Sequence, residues 1–126
     1  MIVGHSLGSV VDYNVLRNNP EFAVQKYITV GSPLGMASFR SKLETPLGMP
    51  SCVKDSWYNA YGDEGVVALL PLNSPFKIKP PIVDYKSIKN RTKNRHRIKG
   101  YLDDPNFAKE IYYFLRNWGS SNRKNK

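Results

Sequence analysis

Apolar positions in this 126-residue chain fall into short runs, and their spacing alternates between a strand period and a helix period. Ile2 and Val3 form a β-branched strand stub that runs directly into Gly4-His5-Ser6-Leu7-Gly8. Leu7, Val10, Val11 and Val15 then recur at helical spacing, and Asn18-Asn19-Pro20 stops the pattern, which predicts a helix. Tyr27-Ile28-Thr29-Val30, closed by Gly31-Ser32-Pro33, reads as a buried strand. Residues 34–55 carry Gly35, Pro46, Gly48 and Pro50 and predict irregular chain, with a short helix over 37–43. Residues 57–61 predict another strand, Gly62-Asp63-Glu64-Gly65 a turn, 66–70 a short apolar segment ended by Pro71, and 82–88 a last strand. The final helix has the clearest signature. Asp104 suits its cap and Pro105 its first position; Phe107, Ala108, Ile111, Phe114, Leu115 and Trp118 form one face; Gly119 falls just past the expected end.

Strands alternating with helices predict an α/β fold with a mainly parallel sheet. Such a sheet is covered on both faces, yet about three strands and two good helices are legible. Residues 1–118 therefore read as the C-terminal part of one domain that lacks its N-terminal strands, and residues 119–126 as a basic, disordered tail. No internal repeat or long linker interrupts the chain.

Composition narrows the chemistry. The chain is 40% apolar and 23% charged, which is globular rather than disordered. One cysteine excludes an intramolecular disulfide framework and a thiolate-rich metal site, and two histidines leave little for zinc. No apolar run approaches the roughly 20 residues of a membrane span, and no leader pattern follows Met1, so a cytoplasmic location is expected. The net charge of +9 is unevenly placed. Residues 77–99 hold nine Lys/Arg against one acid, Asp84, while the remainder has ten basic and nine acidic residues. Such a segment attracts anions. Only Tyr85 falls among these cations, too few aromatics for base stacking. No specific nucleic-acid partner is expected, and the readings left are a solvated basic loop or weak contact with an anionic surface.

Gly4-His5-Ser6-Leu7-Gly8 matches the G-x-S-x-G nucleophile elbow, with a strand stub before it and a helical pattern after it. A sharp strand-to-helix turn strains the serine, pushes its hydroxyl above the sheet and leaves no room for side chains at the two glycines. The backbone N–H of Leu7, at the helix start, can then stabilise an oxyanion. A serine nucleophile needs a general base, and the base needs an acid to hold its tautomer. His96 is the one histidine after the elbow, 90 residues downstream. Asp63 and Glu64 follow the strand predicted over 57–61, so the order serine, acid, histidine is kept. Asp63 is placed ahead of Glu64 because it lies nearer the strand end and is shorter. His5 reads as a packing or rim residue rather than a base.

These residues resemble the α/β-hydrolase superfamily, and within it bacterial-type serine hydrolases related to lipases and esterases. The similar segments are Ile2 to Val11, Thr29-Val30-Gly31-Ser32-Pro33-Leu34-Gly35, Trp57-Tyr58-Asn59, Val66-Val67-Ala68-Leu69, and Asn94-Arg95-His96 with Gly100-Tyr101-Leu102. The resemblance implies Ser6 as nucleophile, His96 as base and an acid after the Trp57 strand. It also implies hydrolysis of a small-molecule or lipid ester, or a related acyl bond, without metal or organic cofactor. Two departures stand out. Relatives of this branch carry Asp directly before the Val-Val-Ala stretch, where this chain has Gly65, with Glu64 and Asp63 one and two residues earlier. The superfamily also draws a second oxyanion donor from a loop after an earlier strand, and no such segment precedes the elbow here. A non-catalytic remnant of the fold and an anion-binding module built on residues 77–99 are the rival readings.

Overall fold

The computed structural model describes residues 1–62 and 70–124. Four strands form one sheet in the order β1 (Ile2–His5), β2 (Val24–Val30), β3 (Val53–Ala60), β4 (Val83–Tyr85). All three pairings are parallel, with Ile2 opposite Tyr27, Tyr27 opposite Trp57 and Tyr58 opposite Val83. The connections carry α1 (Leu7–Asn18), a 3₁₀ turn (Pro33–Gly35), α2 (Ala37–Arg40) and α3 (Asn73–Phe76). After β4 come α4 (Ile98–Leu102) and α5 (Pro105–Lys124). This is the α/β class with a parallel sheet that the alternation of periods predicts.

Side chains on a strand alternate between faces, and the two faces have separate cores. On one, Tyr27 and Trp57 pack with Tyr13 and Leu16 of α1 and Phe76 of α3. The Trp57 ring lies 4.9–5.7 Å from the rings of Tyr27, Phe76 and Tyr13. On the other, Ile28, Val30, Tyr58 and Ala60 meet Tyr101 of α4 and Phe107 of α5. Burial on both sides explains why Tyr27 to Val30 reads as an unbroken apolar and β-branched run.

One polar chain crosses the sheet. Trp57 Nε1–H donates to Thr29 Oγ1 (3.0 Å), Thr29 donates to Asn59 Oδ1 (2.8 Å), and Asn59 Nδ2–H donates to Asp84 Oδ1 (2.8 Å). Asp84 also accepts from the backbone N–H groups of Leu72 and Asn73, ahead of and within α3. Among the described residues every buried side-chain polar atom has a partner, so none incurs the roughly 1–3 kcal/mol of an unmade bond.

Several expected elements differ in extent. Strand β4 covers only three residues of the expected 82–88, and α2 only four of 37–43. Helices α3 and α4 are too short for a periodic signal. In α1, the stripe of Leu7, Val11 and Val15 faces outward, and Ser9, Tyr13 and Leu16 face the core. Tyr13 and Leu16 win that face because they fill the space beside Trp57 and Phe76.

In α5, Asp104 Oδ1 accepts from the N–H groups of Asn106 and Phe107 (both 3.0 Å), as a capping residue does. Phe107 is buried and Ile111 packs against the core, but Leu115 and Trp118 are 52% and 51% exposed. The helix runs through Gly119 to Lys124, past the end expected at Gly119. Ser120 and Ser121 hydroxyls donate to the carbonyls of Arg116 and Asn117, adding side-chain bonds to the backbone ladder past the glycine. Among the described residues, no helix is long and apolar enough to cross a membrane.

Candidate active site

Ser6 sits between the end of β1 and the start of α1 at φ 54°, ψ −132°. A positive φ on a residue with a Cβ costs on the order of 1–3 kcal/mol and persists only where its surroundings over-determine it. Here they do. Ser6 N–H donates to the carbonyl of Val30 (2.9 Å), tying the turn to β2. The Ser6 carbonyl accepts from Ser9 N–H (3.1 Å) and from the Ser9 hydroxyl (2.6 Å). Ser9 Oγ and Ser32 Oγ are 2.6 Å apart, and Ser32 in turn accepts from Leu34 N–H. With one proton per hydroxyl, Ser32 donates to Ser9 and Ser9 to the Ser6 carbonyl. The elbow is thus braced from beneath by the chain that follows β2.

The two glycines of the motif have unequal roles. A Cβ on Gly4 would lie 2.3 Å from Asp12 Oδ2 and 2.8 Å from Ser9 Cα, so helix α1 could not approach the strand. A Cβ on Gly8 would meet nothing within 4 Å, which corrects the expectation that both positions are sterically closed.

His96 Nε2 lies 2.6 Å from Ser6 Oγ. With the hydroxyl donating, Nε2 accepts and the ring proton resides on Nδ1. Burial, and to a lesser degree the neighbouring His5, lowers the pKa of His96 below the ordinary histidine value. The neutral form that a base requires is therefore favoured. His5 is not a second base. Its Nε2–H donates to the His96 carbonyl (2.7 Å), and the two rings lie 5.1 Å apart. Gly31, at φ +55°, closes the far side: a Cβ there would be 2.7 Å from Tyr101 Oη and 3.0 Å from His96 Cε1.

The loop that presents His96 is organised around buried Asn90. Asn90 Nδ2–H donates to the Arg97 carbonyl (2.9 Å), and Asn90 Oδ1 accepts from the N–H and hydroxyl of Thr92. Asn94 Oδ1 accepts from His96 N–H (3.0 Å). Gly100 lets this happen, since a Cβ there would fall 1.8 Å from Asn90 Oδ1. The Asn90-x-Thr92 spacing is a local turn signal, but the need for glycine at 100 depends on a contact ten residues away.

Of the residues singled out from the sequence, the fold brings Ser6, His96 and Leu7 together, with Leu7 opening α1 where N–H groups lack intrahelical acceptors. Asp63 and Glu64 lie outside the described residues, as does the 66–69 part of the apolar segment. Leu34 is wholly buried in the Trp57 core. Among the described residues no group of His, Cys, Asp or Glu could hold a metal ion. Comparison with protein-family models, with curated proteins and with solved structures returned no match.

Proposed function

We propose that the chain is a serine hydrolase of the α/β-hydrolase type, acting on an ester or related acyl bond. One observation carries the reading: a serine held at positive φ between a parallel strand and a helix, with a neutral-leaning imidazole nitrogen 2.6 Å from its hydroxyl. A purely structural serine needs neither the strain nor the imidazole. In this mechanism Ser6 Oγ attacks the acyl carbon while its proton passes to His96 Nε2. The Leu7 N–H helps hold the oxyanion. His96 returns the proton to the leaving alkoxide, and water then releases the acyl group by the same route. An acid at Asp63, or at Glu64, holds the Nδ1 proton of His96. The hydrolase sheet extends beyond β1 in this reading. Val3 of β1 is 39% exposed, and Leu7 and Val11 of α1 are 60% and 62% exposed, surfaces that a further strand and helix would cover.

Ser6→Ala tests the reading. Hydrolysis of a short p-nitrophenyl ester is expected to fall by about 10⁴-fold or more, and an alkyl phosphonate probe to label the parent chain but not the variant. His96→Ala is expected to be nearly as damaging, and the double variant no worse than either, because base and nucleophile act as a unit. Equal labelling of parent and variant would refute the assignment. No labelling of a folded parent would favour a non-catalytic relative of the fold.

A further inference from the structure

His96 lies in a segment, residues 89–97, that belongs to no helix or strand. The side chains of Asn90, Thr92 and Asn94 bond within that segment. Such bonds give the loop its shape but not its place on the sheet. A general base needs its place fixed to within about 0.5 Å, and loops hold such positions less well than strands or helices do.

His5 supplies a tie to the sheet. It is the last residue of β1, paired in register with Val30 of β2, and it directly precedes Ser6. Its Nε2–H donates to the His96 carbonyl over 2.7 Å. A carbonyl oxygen only accepts, so this bond places a proton of His5 on Nε2. The other backbone group of His96, its N–H, donates to Asn94 Oδ1. Both are thus held, which orients the bond from which the imidazole hangs. The His5 ring also lies 5.1 Å from the His96 ring, tilted by 35°, and meets the Tyr101 ring edge-on at 6.0 Å. Tyr101 is itself buried in the second core. A residue that only filled this space would need no donor, since Phe would pack between the same two rings. Adjacent residues therefore hold the two ends of the pair. Ser6 carries the hydroxyl, and His5 holds the carbonyl of the residue whose Nε2 accepts from it.

We infer that His5 is a positioning residue, a latch that sets the Ser6–His96 distance by holding the His96 carbonyl. This role rests on the hydrolase reading for its effect on rate, whereas its effect on the distance does not. His5 takes no proton from Ser6 and acts through His96.

Two variants separate the bond from the packing. His5→Phe keeps a ring between His96 and Tyr101 and removes the donor. His5→Gln removes the ring and returns an amide N–H at the reach of Nε2. In His5→Phe, kcat for a short p-nitrophenyl ester is expected to fall about 100-fold with KM unchanged, as for a base displaced by about 1 Å. His5→Gln should recover about tenfold of that loss, which is what one hydrogen bond contributes. Loss of packing alone would give the opposite order, with Gln the slower variant. The second readout is ¹⁵N NMR of the His96 ring at about pH 8, where an ordinary histidine is neutral. Ser6→Ala gives the reference for an Nε2 that has lost its donor. The Nε2 resonance should move toward that reference in His5→Phe and stay at the parent position in His5→Gln. Thermal melting shows whether the variants fold, and His5→Leu replaces His5→Phe if that one does not. An unmoved Nε2 resonance in a folded variant without the donor, or His5→Gln slower than His5→Phe, would overturn the latch and leave the hydrolase reading standing. A parent chain that neither hydrolyses the ester nor takes the phosphonate would sink the hydrolase reading, and the ring resonance then decides the latch alone.

Discussion

Gly4 and Gly8 flank the same serine and differ in what surrounds them. At Gly4 a methyl group meets the Asp12 carboxylate and the Ser9 backbone. Gly4→Ala is expected to destabilise the chain by about 1–3 kcal/mol, as overpacking does. At Gly8 a methyl group meets open space inside α1. Gly8→Ala should be neutral or add up to about 1 kcal/mol, from helix propensity. Urea unfolding of the two variants checks the contrast, and equal losses would contradict it. At His96 the lowered pKa has a definite sign. In the proposed hydrolase the neutral ring is the base, so a lowered pKa carries activity to lower pH. The acid limb of kcat/KM should have its midpoint below pH 6.5, the ordinary histidine value. His5→Gln keeps a donor for the His96 carbonyl and removes the neighbouring imidazole. The midpoint should then rise while staying below 6.5, because burial is the larger cause. A midpoint at or above 6.5 in the parent chain would contradict this account.

Gly100 and Asn90 link the loop after β4 to α4, and through it to the position of His96. Gly100→Ala would force Asn90 from its place against Thr92 and the Arg97 carbonyl. Displacing a base by about 1 Å can cost on the order of 100-fold in turnover. Gly100→Ala is therefore expected to lose activity of that order and, as overpacking of a buried position, about 1–3 kcal/mol of stability. Undiminished activity in a folded variant would contradict the link. The pair Ser6 and His96 was legible in the sequence because residue type, order and neighbouring periodicity all mark it. Asn90 with Gly100, and Ser9 with Ser32, were not, because each is a contact between segments with no local signature. In α1 the valine spacing announces a helix but not its orientation. That is decided by which side chains fit beside Trp57 and Phe76. In α5 the glycine at 119 reads as a stop by propensity, and serine-to-carbonyl bonds at 120 and 121 accompany its continuation. Asp63 and Glu64, the acids expected from chain order, fall in the internal stretch outside the described residues.

At the scale of the whole molecule, the edge strand β1 and the outer face of α1 leave Val3, Leu7, Val11 and Val15 in solvent. Unpaired edges and contiguous apolar surface favour association. Light scattering of the isolated chain should show concentration-dependent self-association, reduced by Val3→Lys and Val11→Lys. A monomer at all concentrations would argue against a sheet that extends beyond β1. The basic loop lies at the other end of the chain, between Ile88 and Tyr101, both buried in the second core. These two anchors, with the Asn90 bonds to Thr92 and to the Arg97 carbonyl, fix how much chain lies between them. Exchanging one exposed Lys for Arg leaves those bonds untouched. Deleting or inserting a residue between 91 and 95 would break them and carry the imidazole away from Ser6. The segment can therefore drift in composition but not in length.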